Sequence, residues 1–463
     1  MTLPKTNGSL AKTPSSPSWI LLTNLPIPSL DKALQRTTAS GVLVYGQGAA
    51  LSLETYSWRD KDAEPKQFSE WTTAFEVKAD LIRLRTGAMN SPLLFVTRNT
   101  TTRAWAIGTD AFLLNVARSQ WGLPTDFANP REIRRDGTTS FVGVSQLPAH
   151  SSVVLKKKDS NWLFTIEELE DPVFAALNPK IDDYDQAGSQ FVSSLQETIS
   201  ELTKGETSIA TLLSGGIDSG AITTFAVRAG LNVTAYSVGS TWGNEHEEAQ
   251  ELADFLGIPL KRIDLSQDDY LAAIPESMRA LATGERERVD IALTITAVLR
   301  SEAIKEEHIL TGYGNDLMLL GLPPDTTKPE ALIQDIITEV DLARHSGEFN
   351  DYVARTWGKR ISHPYWHQKV VQTALDIHPA CKVYGGREKA FFRAAMEKYI
   401  PKSAAWRKKI GIHVGGGLQG GLDALFGGLD QKVEVYNGVF SAITGRLLSD
   451  PFATVEHLAP KPA

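Results

Sequence analysis

LLSGGIDSGAITTF, residues 212–225, places a serine, two glycines and an aspartate between an apolar run and a helical pattern. Ahead of it, Ser208 to Leu213 reads as a short buried strand; behind it, Ala221 to Arg228 reads as a helix that Gly230 can end. A polar, glycine-rich turn therefore lies at the C-terminal edge of a strand. Open α/β sheets bind ligands there, because a helix N-terminus offers backbone N–H groups to anions and glycine lets the backbone approach closely.

Working outward, residues 190 to about 330 alternate helical and strand periods: QFVSSLQETI, SIATLL, AITTFAVRAG, NVTAYSVG, EEAQELADFLG, LKRIDLS, IALTITAVLRSEAI and HILTG. Repeated βα units of this length imply a parallel sheet flanked by helices, and beyond residue 330 helical periods dominate. Residues 19–170 instead carry short alternating runs such as GVLVYG, PLLFVT, TSFVGV and SSVVLK, the pattern of a β sandwich. The acidic, proline-bearing stretch 171–189 reads as a linker, and residues 1–18, rich in Ser, Thr and Pro, as a disordered tail. The expected fold class is α/β, with the synthetase-like half spanning 190–463.

Composition narrows the function classes. A net charge of −8 offers no basic footprint for nucleic acid, and no apolar run approaches the ~18 to 20 residues of a membrane span. The single cysteine, Cys381, excludes an intramolecular disulfide and any multi-cysteine metal site, which fits a cytoplasmic protein. The expected partner is a small molecule, with self-association into a homo-oligomer left open.

The opening stretch is neither a Walker A loop, since no Gly-Lys-Ser/Thr follows, nor a GxGxxG fingerprint. Ser214, Gly215, Gly216 and Ser219 supply hydroxyls and backbone donors for a polyphosphate, and Asp218 supplies a hard oxygen suited to Mg²⁺. A second strand ends in a glycine-rich turn at HILTGYGNDLMLLGL, residues 308–322. Gly312 there joins the nucleotide set, and Asp316 offers Mg²⁺ a second carboxylate beside Asp218. No HExxH pattern occurs, so His363 and His413 are read as structural.

The SGGIDS loop resembles that of the ATP-pyrophosphatase families, in which it holds the pyrophosphate part of ATP. VGVSQLPAHSSVVL, SGGIDS and TGYGND, in that order, resemble the asparagine synthetase family, which joins an N-terminal glutaminase-like (Ntn-type) sandwich to a PP-loop synthetase domain. Glutaminase activity in that family needs an N-terminal cysteine; here Thr2 follows Met1, so the nitrogen nucleophile is expected to be an amine of the substrate. TGYGND, HSGEF, HPYW and WRKKIGIH are similar to the β-lactam synthetase branch, closest to carbapenam synthetase. The resemblance implies a Tyr313–Glu348 pair for proton removal, Lys409 facing the reacting carbonyl, and ATP with Mg²⁺ as cofactors.

It also implies the reaction: ATP-dependent closure of a β-amino acid to a β-lactam through an acyl-adenylate, releasing AMP and pyrophosphate. A macrolactam cyclase, an ammonia-using synthetase and a non-catalytic nucleotide-binding scaffold stay open beside it. Three positions depart from the branch: Gly220 replaces a serine, Leu320 stands where glycine is usual, and Val414 replaces a glutamate. The glycine-rich segment 411–429 reads equally as a lid or an ordinary loop.

Overall fold

The computed structural model describes residues 19–37, 41–47, 74–77, 80–90, 92–128, 137–159, 161–169, 171, 173, 179–321, 329–348, 352–408 and 418–462. Two antiparallel sheets form from the N-terminal alternating runs. The six-stranded one runs in the order Leu34–Thr37, Leu43–Gln47, Trp19–Thr23, Trp105–Gly108, Phe95–Arg98, Val144–Gln146. The four-stranded one runs Asn161–Glu168, Ser151–Lys158, Leu81–Arg85, Ala74–Val77.

The two-residue period decides which face each side chain serves. Ile20 and Leu22 enter the core between the sheets with Leu84 and Val153, while Trp19 and Leu21 face the opposite side. There the helix Ala111–Gln120, started by Asp110 accepting from the Leu113 N–H at 3.1 Å, covers the six-stranded sheet. Phe112 of that helix lies 5.2 Å, ring to ring, from Phe440 of the C-terminal helix Leu429–Ser449, so the sandwich shares a core with the second half of the chain.

The second half is built on a five-stranded, wholly parallel sheet. Its order is Leu260–Leu265, Asn232–Ser240, Ser208–Leu212, His308–Leu310, Arg360–Ser362. Ile209 packs into one helical layer and Ala210 into the other, so both faces are covered, as a parallel sheet requires. In chain order the strands stand 3-2-1-4-5. The connections after Ser208–Leu212 and His308–Leu310 leave in opposite directions, and the crevice between these two strand ends is the topological switch point.

Two boundaries differ from the sequence reading. The helix after the opening loop runs Ile217–Arg228, so Asp218 and Ser219 lie in its first turn and not in a loop. Gly216 takes the N-cap position without a side-chain cap, which is why loop-like residues conceal a helix start. The second is the acidic stretch read as linker, whose last residues enter the helix Tyr184–Leu202. Asp183 caps it by accepting from the Gln186 N–H at 2.7 Å, so part of that acidity is cap chemistry. No helix among the described residues is long and apolar enough to cross a membrane.

Candidate active site

The two glycine turns meet at the switch point because neither has a side chain in the way. Gly215 is left-handed (φ +73°), and a Cβ on it would lie 2.5 Å from the Glu248 carbonyl carbon. A Cβ on Gly312 would lie 2.5 Å from the Ser219 nitrogen, so the TGYG turn rests directly on the first turn of Ile217–Arg228. Within the loop, the Ser219 hydroxyl accepts from the Ser214 N–H at 3.1 Å and sits 3.1 Å from the Ser214 hydroxyl. Glycine, two hydroxyls and a helix N-terminus converge, a donor set that fits an anionic polyphosphate.

Asp218, 5 % exposed, accepts from Asn315 Nδ2 at 2.7 Å on Oδ1 and from Lys389 Nζ at 2.5 Å on Oδ2. The same ammonium pairs with Asp316 Oδ1, so the two carboxylates proposed for Mg²⁺ do converge on one cation. Among the described residues no three His, Cys, Asp or Glu side chains form a metal cluster. Two carboxylates completed by ligand phosphates are nonetheless a usual Mg²⁺ donor set, and Asp218 with Asp316 fits it. Lys389 was not singled out from the sequence. It is fully buried with φ +54°, and nothing in REKAFF marks it, because its role arises from tertiary placement 171 residues from Asp218.

In the TGYG turn, the Tyr313 hydroxyl donates to Glu348 Oε2 at 3.2 Å. Burial and the adjacent Glu348 charge push the Tyr313 phenol well above its usual value. Burial likewise raises Glu348 to about 7, opposed by the Tyr313 hydrogen bond and the Arg288 charge. Thr311 fixes the turn: its hydroxyl accepts from the Tyr313 N–H at 3.3 Å and lies 2.6 Å from His363 Nδ1. His363 is half-buried, its pKa driven down to about 4 by desolvation, in keeping with a structural role.

Ser214, Asp218, Tyr313, Asp316 and Glu348 all line one cavity of about 360 Å³, and Arg407 and Lys408 line it as well. Lys409 lies outside the described residues, as do His413, Val414 and the first part of the glycine-rich segment. From Leu418 that segment is a helix, Leu418–Leu425. Arg393, fully buried, donates to the carbonyls of Ala405 at 2.8 Å and Arg407 at 2.9 Å, bracing the backbone as far as Arg407. Gly220 has a packing reason: a Cβ there would lie 2.8 Å from Leu252 Cδ2 on the neighbouring helix His246–Leu256. Leu320 is left-handed (φ +56°), the conformation that favours glycine.

The asparagine synthase family model matches residues 190–354 and 343–435, more than half of the chain. Carboxyethyl-arginine beta-lactam-synthase from Streptomyces clavuligerus is 30% identical over 228 residues, 49% of this chain and 44% of that protein. Asparagine synthetase B [glutamine-hydrolyzing] from Escherichia coli is 23% identical over 46% of this chain and 42% of its own length. A putative asparagine synthetase [glutamine-hydrolyzing] 1 from Methanocaldococcus jannaschii is 23% identical over 42% and 37%. The chain thus spans less than half the length of the curated relatives it matches. Both glycine turns, Asp218, Asp316 and the Tyr313–Glu348 pair fall inside the matched segments, and the chain belongs to the asparagine synthase family, with its similarity supporting the β-lactam synthetase branch.

Proposed function

We propose that the chain is an ATP-dependent carbon–nitrogen ligase that closes an amide within one small molecule, a β-lactam from a β-amino acid, releasing AMP and pyrophosphate. The observation that carries this reading is that the SGGIDS loop and the Tyr313–Glu348 pair face one cavity. Phosphate-binding and proton-accepting residues line the same cavity. The similarity to a β-lactam synthase supports the same reading. On this reading the enzyme works in β-lactam or carbapenam-type natural-product biosynthesis, as a cytoplasmic protein.

Ser214, Gly215, Gly216, Ser219 and Gly312 bind the phosphates of ATP. Asp218 and Asp316 would hold Mg²⁺, which when bound neutralises charge on the departing pyrophosphate. The substrate carboxylate attacks the α-phosphorus, the bond to pyrophosphate breaks, and an acyl-adenylate results. The amine of the same molecule then attacks the acyl carbon and AMP leaves. Held in one cavity, the two groups meet without an intermolecular encounter.

The amine must lose a proton as it attacks. Tyr313 Oη takes it while passing its own proton to Glu348 Oε2. The raised phenol pKa makes Tyr313 a relay that carries no lasting charge, and Glu348, at about 7, is matched to neutral pH as the final acceptor. Lys409 stabilises the oxyanion, the role implied by the family resemblance.

The test is mass spectrometry of candidate β-amino acids incubated with ATP and Mg²⁺. The expected product is lighter than its precursor by one water, with AMP formed in equal amount. Formation of ADP and phosphate in step with product would overturn the reading.

A further inference from the structure

The sandwich holds no cysteine, yet it grips the segment that presents Glu348. The helix Pro329–Ser346 ends in Arg344, His345 and Ser346, and the left-handed Gly347 (φ +81°) turns the chain into Glu348. Gln146 Nε2 donates to the His345 carbonyl at 3.2 Å, and the Ala149 N–H donates to His345 Nε2 at 3.1 Å. Arg344 Nη1 donates to the Ala88 carbonyl at 3.4 Å and pairs with Asp171 at 2.5 Å. Leu93 closes the remaining side: its Cδ1 lies 3.1 Å from where a Cβ on Gly347 would stand.

These contacts are themselves anchored. Gln146 is registered against Phe95 in the six-stranded sheet, and its N–H donates to the Gly137 carbonyl at 2.8 Å. The turn bearing Ala149 is held by the Thr86 hydroxyl, which donates to the Pro148 carbonyl at 2.7 Å and accepts from the Ser151 N–H at 2.8 Å. His345 is in the matching tautomer: Nδ1–H donates to the Asp341 carbonyl at 2.7 Å, which leaves Nε2 as the acceptor for Ala149. Burial holds its pKa below the usual value, so it stays neutral.

We propose that the sandwich serves as a positioning clamp for Glu348, with Gln146 and the Ala149 amide closing on His345 to set the distance from the Glu348 carboxylate to Tyr313. The inference rests on the reading of Glu348 as the proton acceptor. At 3.2 Å the Tyr313–Glu348 bond is already at the long end for O–H···O, so a shift of roughly 0.5 Å removes it. Gln146 and His345 act through Glu348 and are positioning residues.

The test compares Gln146→Leu, His345→Phe and His345→Gln in the full chain. Gln146→Leu and His345→Phe are expected to slow product formation at saturating substrate by about 10-fold to 100-fold. Acid-dependent exchange of labelled pyrophosphate into ATP stays within about twofold, and His345→Gln, which keeps an acceptor for Ala149, recovers most of the rate. Equal losses in both steps, or no loss, would overturn the clamp. A second readout does not need turnover: infrared titration of the Glu348 carboxyl, assigned with Glu348→Gln. The groups acting on Glu348 are Tyr313, Arg288, Glu339 and Ser346, none of them altered in these variants. Loosening the clamp admits water, which lowers the midpoint, and breaks the Tyr313 bond, which raises it; desolvation is the larger cause, so the midpoint near 7 falls toward the usual carboxylate range in Gln146→Leu and His345→Phe. A midpoint that stays or rises refutes the clamp even in a chain that makes no product, and absence of product with a falling midpoint refutes only the proposed reaction.

Discussion

The Tyr313 hydroxyl and the Glu348 carboxylate stand 3.2 Å apart, one pushed well above its usual pKa and the other raised to about 7. Desolvation is the largest cause for both, so the low-dielectric wall that makes phenolate inaccessible also makes Glu348 a stronger proton acceptor. Ring closure should therefore rise with pH through about 7 and level off above it, as Glu348 ionises. Tyr313→Phe and Glu348→Gln are expected to slow ring closure by roughly 10² to 10⁴ while leaving adenylation near wild type. Single-turnover trapping of labelled AMP intermediate measures both steps. Full turnover in Tyr313→Phe with an unchanged pH profile would assign proton removal to another group.

The same raised carboxyl affects folding. Unfolded, Glu348 ionises near the usual 4.5; folded, it does so near 7. Between these values the folded state holds the extra proton, so stability falls as pH rises through this window and is flat on either side. Glu348→Gln abolishes this dependence, and the effect is on the order of a few kcal/mol. Urea midpoints of wild type and variant, measured from pH 4 to pH 8, should diverge in favour of the variant as pH increases. Parallel curves would mean that the folded carboxyl titrates normally.

Lys389 holds Asp218 and Asp316 together from a fully buried position. Lys389→Met keeps most of the side-chain volume and removes the shared charge, leaving two carboxylates without it at a cost on the order of 3 kcal/mol. Their convergence should then be met by Mg²⁺. The melting temperature of Lys389→Met is expected to rise more steeply with Mg²⁺ than that of wild type. Identical Mg²⁺ responses would separate these carboxylates from any metal role.

The parts of the site legible in the sequence are those with a local cause. Gly215 needs its left-handed backbone and Gly312 its close approach to Ser219, and both stand out as glycine turns after apolar runs. The strand order 3-2-1-4-5 is not legible in this way, because it depends on pairings such as Ala210 with Ile309, far apart in the chain. The early start of Ile217–Arg228 was hidden because Gly216, Asp218 and Ser219 have loop chemistry. Lys389 and Gln146 act only through tertiary contacts, and no local pattern announces them.

Leu320 sets backbone strain against burial. It caps the short helix Asn315–Leu319 with φ +56°, at the position where the resembling branch uses glycine, and it is only 6 % exposed in the core beneath the TGYG turn. A left-handed conformation costs a branched residue about 1 to 2 kcal/mol, which Leu320→Gly would relieve. Removing a buried leucine side chain costs about 2 to 5 kcal/mol, and glycine adds unfolded-state entropy. Burial outweighs strain, so Leu320→Gly is expected to lower stability by about 1 to 3 kcal/mol. Leu320→Ala, which loses the same packing and retains most of the strain, should be at least as destabilised. Denaturant midpoints for the two variants check this order. A glycine variant more stable than wild type would show that strain dominates, and that the core beside Asp316 absorbs the lost side chain by collapsing around it.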